Sequence, residues 1–239
     1  SRAVKELLNV KLRAMTALEK QAYSRLGRFS VCVAAAIFVC AWSVAYWQGW
    51  LFLAVFFGST LAIIRYLAHH DPQLLERRMT AGPRAEPHKT QQVIQVLATL
   101  AFVALLLFPA IDWRFSWSAM PPVVSMLGAL LMALGFLAIS FVFRENSYAS
   151  SIIEIGAHQK IVTSGPYSIV RHPMYSGALV MLLGMPFTLG SWWGLLLVIP
   201  ITAVIVWRLL EEEKFLAANL PGYSAYQDKV RCRLLPFIW

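Results

Sequence analysis

Four uninterrupted apolar runs constrain this chain more than any other feature: 29–47 (FSVCVAAAIFVCAWSVAYW), 50–68, 93–111 and 121–143. Each is close to the ~20 residues that a helix needs to cross the hydrocarbon core of a bilayer. Lipid offers no partner to a backbone N–H or C=O, so runs of this length fold as helices. Composition agrees. Of the 239 residues, 59% are hydrophobic and only 14% are charged, against about 25% charged in a soluble domain. The predicted class is therefore an all-α integral membrane protein. Two further stretches, 174–190 and 192–210, raise the expected number of transmembrane helices to about six. The first is short and contains Gly184 and Pro186. The turn at Gly190 and Ser191 makes the two a hairpin, and Pro200 reads as a kink in the last helix.

Charge sets the expected orientation, because Lys and Arg accumulate on the cytoplasmic side. All but one of the 21 Lys and Arg residues fall on one side of this arrangement; the exception is Arg114, in DWRFSWSAMPP. Both termini are expected in the cytoplasm, in a membrane that composition and loop style assign to a bacterium's inner membrane. The formal net charge of +9 is accounted for by orientation and anionic lipid, so no nucleic-acid partner is implied. Residues 1–28 place apolar side chains at helical spacing between basic ones, which predicts an amphipathic helix lying in the membrane plane. No signal peptide is expected. Cys32, Cys40 and Cys232 read as unpaired structural thiols. The predicted organisation is an in-plane helix over 1–28, four transmembrane helices over 29–143, and a C-terminal catalytic and cofactor-binding region over 144–239. The loop 80–90 is rich in Pro and Gly and is expected to be mobile.

Nearly all polar residues sit on the cytoplasmic side, and three segments converge there. In SGPYSIVRHPMYSG (164–177), Gly165 and Pro166 mark a turn. His172 precedes Pro173 and is biased to an extended conformation, and Pro173 suits the first position of a helix. A helix start at the membrane edge, flanked by Arg171 and His172, is a cradle for a carboxylate or phosphate; Gly177 allows close backbone approach. The alternative is interfacial anchoring, with Arg171 reaching lipid headgroups. An extended residue before proline also predicts that Arg171 and His172 face different walls. In WRLLEEEKFL, Arg208 and Glu212 lie four apart on one helical face. They read either as an exposed salt bridge or, because acids oppose the dipole at a helix C-terminus, as countercharge for a cation. The third segment is PGYSAYQDKVRCRLLPFIW.

These residues resemble the isoprenylcysteine carboxyl methyltransferase family and its bacterial relatives, and also phospholipid N-methyltransferases and methanethiol S-methyltransferases. The resemblance rests on VTSGPYSIVRHPMYSG, then RLLEEEKFL, then GYSAYQDKVRCRLLPF, in that order, from about residue 146 to 237. The first four spans match only in hydropathy and in HHDPQLLERRM (69–79). The resemblance implies a membrane methyltransferase that uses S-adenosylmethionine and acts on a lipophilic acceptor, isoprenylcysteine-carboxylate-like or a lipid or thiol. It implies a cytoplasmic cofactor pocket built from Gly165, Tyr167, Val170, His172, Pro173, Tyr175, Gly177, Glu212, Glu213 and Tyr223. It also implies roles for Arg171, Glu212 and Asn146 near the reacting groups, with Gln159 a further polar position and no metal. An acceptor that must lose a proton would draw on His172, Glu212 or a tyrosine.

Two rival readings remain open on the sequence. One is a sterol-reductase-like membrane enzyme using NADPH, with Arg231 and Arg233 on the 2′-phosphate. The other is a non-enzymatic scaffold or haem protein using His69, His70 or His88. The Glu212, Glu213, Leu216 pattern favours the methyltransferase.

Overall fold

The computed structural model describes residues 2–80, 86, 88–149 and 161–239, with side chains from Ala17 onward. Gln159, Lys160, most of the loop 80–90, and the side chains that carry the expected N-terminal amphipathic face lie outside the described residues. The described residues form eight α-helices and two short 3₁₀ segments, with no strand among them: α1 (Arg2–Ala41), α2 (Trp47–His70), α3 (Pro72–Met79), α4 (Lys89–Phe115), α5 (Pro122–Glu145), α6 (Pro173–Thr188), α7 (Val198–Asn219) and α8 (Tyr223–Lys229). The 3₁₀ segments are Gly165–Ser168 and Trp193–Leu197.

Among the described residues, five helical segments are long and apolar enough to cross a membrane: Ala17–Ala41, Trp47–His70, Lys89–Phe115, Pro122–Glu145 and Trp193–Asn219. The sequence predicts six. The difference is α6, whose 16 residues extend only about 24 Å at 1.5 Å per residue, short of a ~30 Å core. Its far end is nevertheless tied to the loops at the other end of the bundle. The Tyr46 hydroxyl donates to the Leu189 carbonyl, the Ser191 hydroxyl to the Asp112 carboxylate, and the Trp192 amide to Ser118 Oγ at 3.0 Å. Asp112, fully buried, also accepts from Ser118 N and Oγ at 2.7 and 2.6 Å. Arg114 stacks on Trp42 and Phe115 at this same end.

α1 is continuous from Arg2 to Ala41 and its spanning part begins at Ala17. One expectation is revised. Pro200 falls in the first turn of α7, after the 3₁₀ segment, where a proline costs no helical hydrogen bond and makes no interior kink.

The tightest packing is between α5 and α6, because each offers glycines at the contact. A Cβ at Gly135 would lie 2.5 Å from Met181 N and 2.7 Å from Gly177 O; one at Gly184 would lie 2.6 Å from Met132 N. Small residues let backbones approach where lipid supplies no hydrophobic drive between helices. This contact fixes α6, and with it Pro173 to Gly177, against the most deeply set helix of the bundle. At the opposite, polar end, α3 begins at Pro72 with Asp71 accepting from Leu74 N at 3.0 Å, a cap followed by proline in the first turn.

Candidate active site

The polar end holds two clusters, one on each side of the start of α6. The first is built around Glu213. Its Oε1 accepts from Arg171 Nε at 2.6 Å and lies 3.2 Å from His172 Nε2; its Oε2 accepts from Arg233 Nε at 3.0 Å. Arg171 also donates from Nη1 to the Val230 and Arg231 carbonyls at 3.0 and 3.3 Å. The backbone follows: Arg171 N donates to Cys232 O at 2.9 Å and His172 N to Arg233 O at 3.0 Å. Ser176 Oγ donates to Leu234 O at 2.6 Å. The C-terminal tail is therefore laced along 171–176 by main-chain and side-chain bonds together. Arg171, His172 and Glu213 are all buried. The sequence places Arg171 and His172 on different walls; here both side chains converge on one carboxylate, because the tail carbonyls occupy the other side of Arg171.

The second cluster is built around Tyr175. Its hydroxyl donates to Glu212 Oε2 at 2.6 Å and accepts from Arg208 Nε at 3.1 Å. Arg208 reaches on to Glu86 Oε1 at 2.8 Å and Gln91 Oε1 at 3.4 Å. Tyr175, Arg208 and Glu212, with Arg78 of α3, form the polar head of a cavity of about 1070 Å³. Its walls are apolar: Phe29 and Val33 of α1, Leu67 of α2, Phe102 and Leu106 of α4, Phe136 of α5, Ala178 of α6 and Ile205 of α7. Arg78 stacks on the Phe143 ring with its carbon 4.9 Å from the centroid and donates to Ala149 O at 3.4 Å. Burial pulls its pKa down to about 10, so it keeps its charge at neutral pH.

The remaining residues singled out in the sequence are not among those lining the cavity. Asn146 donates to the Tyr167 hydroxyl at 2.8 Å, and the Tyr226 hydroxyl donates to Tyr167 O at 2.7 Å. Burial pushes Tyr167 up to about 12 and raises Tyr223 and Tyr226 as well, so all three are neutral donors at physiological pH. Tyr223 and Tyr226 pack ring to ring, centroids 5.9 Å apart. Gly165 takes φ +56° with Glu145 where a Cβ would be, a conformation that favours glycine. Val170 and Pro173 are buried, and Gly177 faces α5. His172 makes no side-chain cap to the first turn of α6.

Sequence reasoning did not single out Arg78, Glu86, Gln91 or Arg233 for these clusters. Arg78 lies in a motif already noted at 69–79, on a helix whose basic residues look like membrane anchors. Glu86 lies in a Pro- and Gly-rich loop, and nothing local marks it; its partner Arg208 is 122 positions away. Among the described residues, no group of three His, Cys, Asp or Glu is placed to hold a metal ion.

Comparison with known proteins follows the same geography. Residues 123–221 match the phospholipid methyltransferase family. Over 132 residues, 52% of this chain, the sequence is 30% identical to the cobalt-zinc-cadmium resistance protein CzcN of Cupriavidus metallidurans, covering 54% of that protein. Over 169 residues, 68% of this chain, it is 27% identical to protein-S-isoprenylcysteine O-methyltransferase B of Arabidopsis thaliana, covering 76% of it. The match thus spans about half the length of the first relative and three quarters of the second. These matches bear out the resemblance read from the C-terminal motifs: this chain is similar to phospholipid methyltransferases across 123–221, and to an isoprenylcysteine O-methyltransferase across two thirds of its length.

Proposed function

We propose that the chain is an integral membrane methyltransferase that uses S-adenosylmethionine and acts on a lipophilic acceptor lodged in the cavity between the helices. The observation that carries this reading is the cavity itself: about 1070 Å³ of apolar space ending on Tyr175, Arg208, Glu212 and Arg78, beside the helix start that the methyltransferase resemblance marks. That volume is at the upper end of the range of ligand sites. An apolar chain is satisfied by its walls, and a reacting head is satisfied only at its polar end.

The residues at that end fit the cofactor. The first turn of α6 has no side-chain cap, which suits a carboxylate at a helix start. Glu212 offers countercharge to an ammonium or sulfonium. The rings of Tyr167, Tyr175 and Tyr223 offer faces to a cation or a purine. When bound, S-adenosylmethionine supplies an electrophilic methyl group on a sulfonium. The chain's contribution is alignment of acceptor and methyl in a water-poor site. Glu212 accepts the Tyr175 proton in its hydrogen bond and can accept one from an acceptor amine or thiol; a carboxylate acceptor needs no base. Arg171 and Glu213 hold the tail over the start of α6. The active-site end and both termini are assigned to the cytoplasm on the positive-inside distribution.

The test is a calorimetric titration of the purified protein with S-adenosylhomocysteine, NADPH and haem, followed by transfer from labelled cofactor to lipid extracts. Binding of S-adenosylhomocysteine, with label appearing in an organic-phase product, is the expected result. Binding of NADPH or haem, with none of S-adenosylhomocysteine, would overturn the reading.

A further inference from the structure

We propose that Glu86 is a positioning residue that keeps Arg208 off Glu212 and so leaves the Glu212 carboxylate facing the cavity without an ion pair. The inference rests on the function proposed above. Glu86 lies between α3 and α4, yet its side chain is fully buried. Side chains from α4 and α7 hold it: Arg208 Nη2 and Gln95 Nε2 each donate to its Oε1 at 2.8 Å, and Gln92 Nε2 donates to its carbonyl at 2.9 Å.

The consequence lies in where Arg208 can point. A guanidinium is a planar fork, so fixing one edge fixes the other. With Nη2 on Glu86 and Nη1 on Gln91, Nε is aimed at the Tyr175 hydroxyl. Arg208 and Glu212 are four residues apart on α7, the spacing at which an arginine and a glutamate pair along a helix. Glu86 competes for that same guanidinium. Its carboxylate neutralises Arg208, while Glu212 accepts the short hydrogen bond from Tyr175, which carries no charge. Arg78, the other guanidinium at this head, lies on the Phe143 ring and donates to Ala149 O, so Glu212 faces the cavity with the Tyr175 hydroxyl as its hydrogen-bond donor. Without Glu86, Arg208 is free to turn to Glu212, four residues on along the same helix, and to neutralise it. A neutralised Glu212 suits a thioether as well as a sulfonium; a charged one discriminates between them.

The inference predicts a change in selectivity. Equilibrium affinities of S-adenosylmethionine and S-adenosylhomocysteine are compared in wild type, Glu86→Gln, Arg208→Gln and the double variant. Glu86→Gln is expected to weaken S-adenosylmethionine about tenfold or more, the loss of one charged contact, with a smaller loss for S-adenosylhomocysteine. Removing Arg208 as well removes the competing cation, so the double variant is expected to recover the preference. Recovery separates positioning from a structural role, since a chain destabilised by the first substitution is not repaired by a second. An unchanged ratio in Glu86→Gln, or no recovery in the double variant, would overturn the inference. If Glu86→Gln does not fold, Arg208→Gln alone decides: a retained or increased preference for the sulfonium supports the inference, and a lost preference overturns it. Absence of binding to the wild-type chain would instead count against the proposed function.

Discussion

Glu212 and Glu213 are neighbours on one helix, and the structure puts them to opposite uses. Glu213 is buried among three basic groups, Arg171, His172 and Arg233, and it ties the tail to the loop before α6. Glu212 accepts from a neutral tyrosine and faces a cavity. A carboxylate surrounded by cations holds chain segments together; a carboxylate left with a neutral donor has charge to offer a ligand. The helix makes the division possible, since successive residues on it point about 100° apart. A glutamate pair in a motif therefore need not be a pair in function.

The largest expected effect comes from breaking the first cluster. Arg171 donates to Glu213 and to carbonyls of the tail at once. A lysine ammonium is a point charge and cannot copy that fork. Arg171→Lys is therefore expected to lose cofactor affinity and thermal stability together, the latter by up to the ~3–5 kcal/mol of a broken buried pair. Calorimetry and a melting curve on one preparation check it. An Arg171→Lys protein with normal melting and normal affinity but reduced turnover would instead place Arg171 near the reacting groups, the role that the family resemblance implies for it.

A smaller effect should appear at alkaline pH. Burial pushes Tyr167 up to about 12 in the folded chain, above the ~10 of an exposed tyrosine. Between these values the folded state holds a proton that the unfolded state has released. Stability from this group is complete below pH ~10 and falls as pH rises towards 12, by about 1.4 kcal/mol per unit. A spectroscopic titration of tyrosinate should show Tyr167 absent from the fraction ionising near pH 10, and Tyr167→Phe should flatten the fall in melting temperature over that window. An identical fall in the variant would contradict the assignment.

Much of the architecture is legible in the sequence, because a bilayer allows few solutions. Apolar runs of about 20 residues must be helices, and Pro173 marks a helix start that the structure confirms. α6, read from the sequence as a short stretch, has 16 residues in a run that continues past Thr188 into the hairpin turn. The motif residues of the site are legible too. What the sequence could not show is how they divide. Arg171 and His172 are adjacent, and local conformation sends them apart; the tail, some sixty positions away, fills one side and turns both to Glu213. Glu86 is invisible for the same reason. Its role comes from Arg208, which reaches it only in the folded bundle.

The central claim, that adjacent glutamates separate binding from construction, is tested most directly by Glu212→Gln and Glu213→Gln measured side by side for melting temperature and S-adenosylmethionine affinity. Glu212→Gln should melt like the wild type and bind more weakly by about 1.5–3 kcal/mol, the value of one charged hydrogen bond. Glu213→Gln leaves Arg171 and Arg233 without their carboxylate and should lower the melting temperature well before affinity can be read. Equal losses of stability in the two variants, or wild-type affinity in Glu212→Gln, would contradict the account.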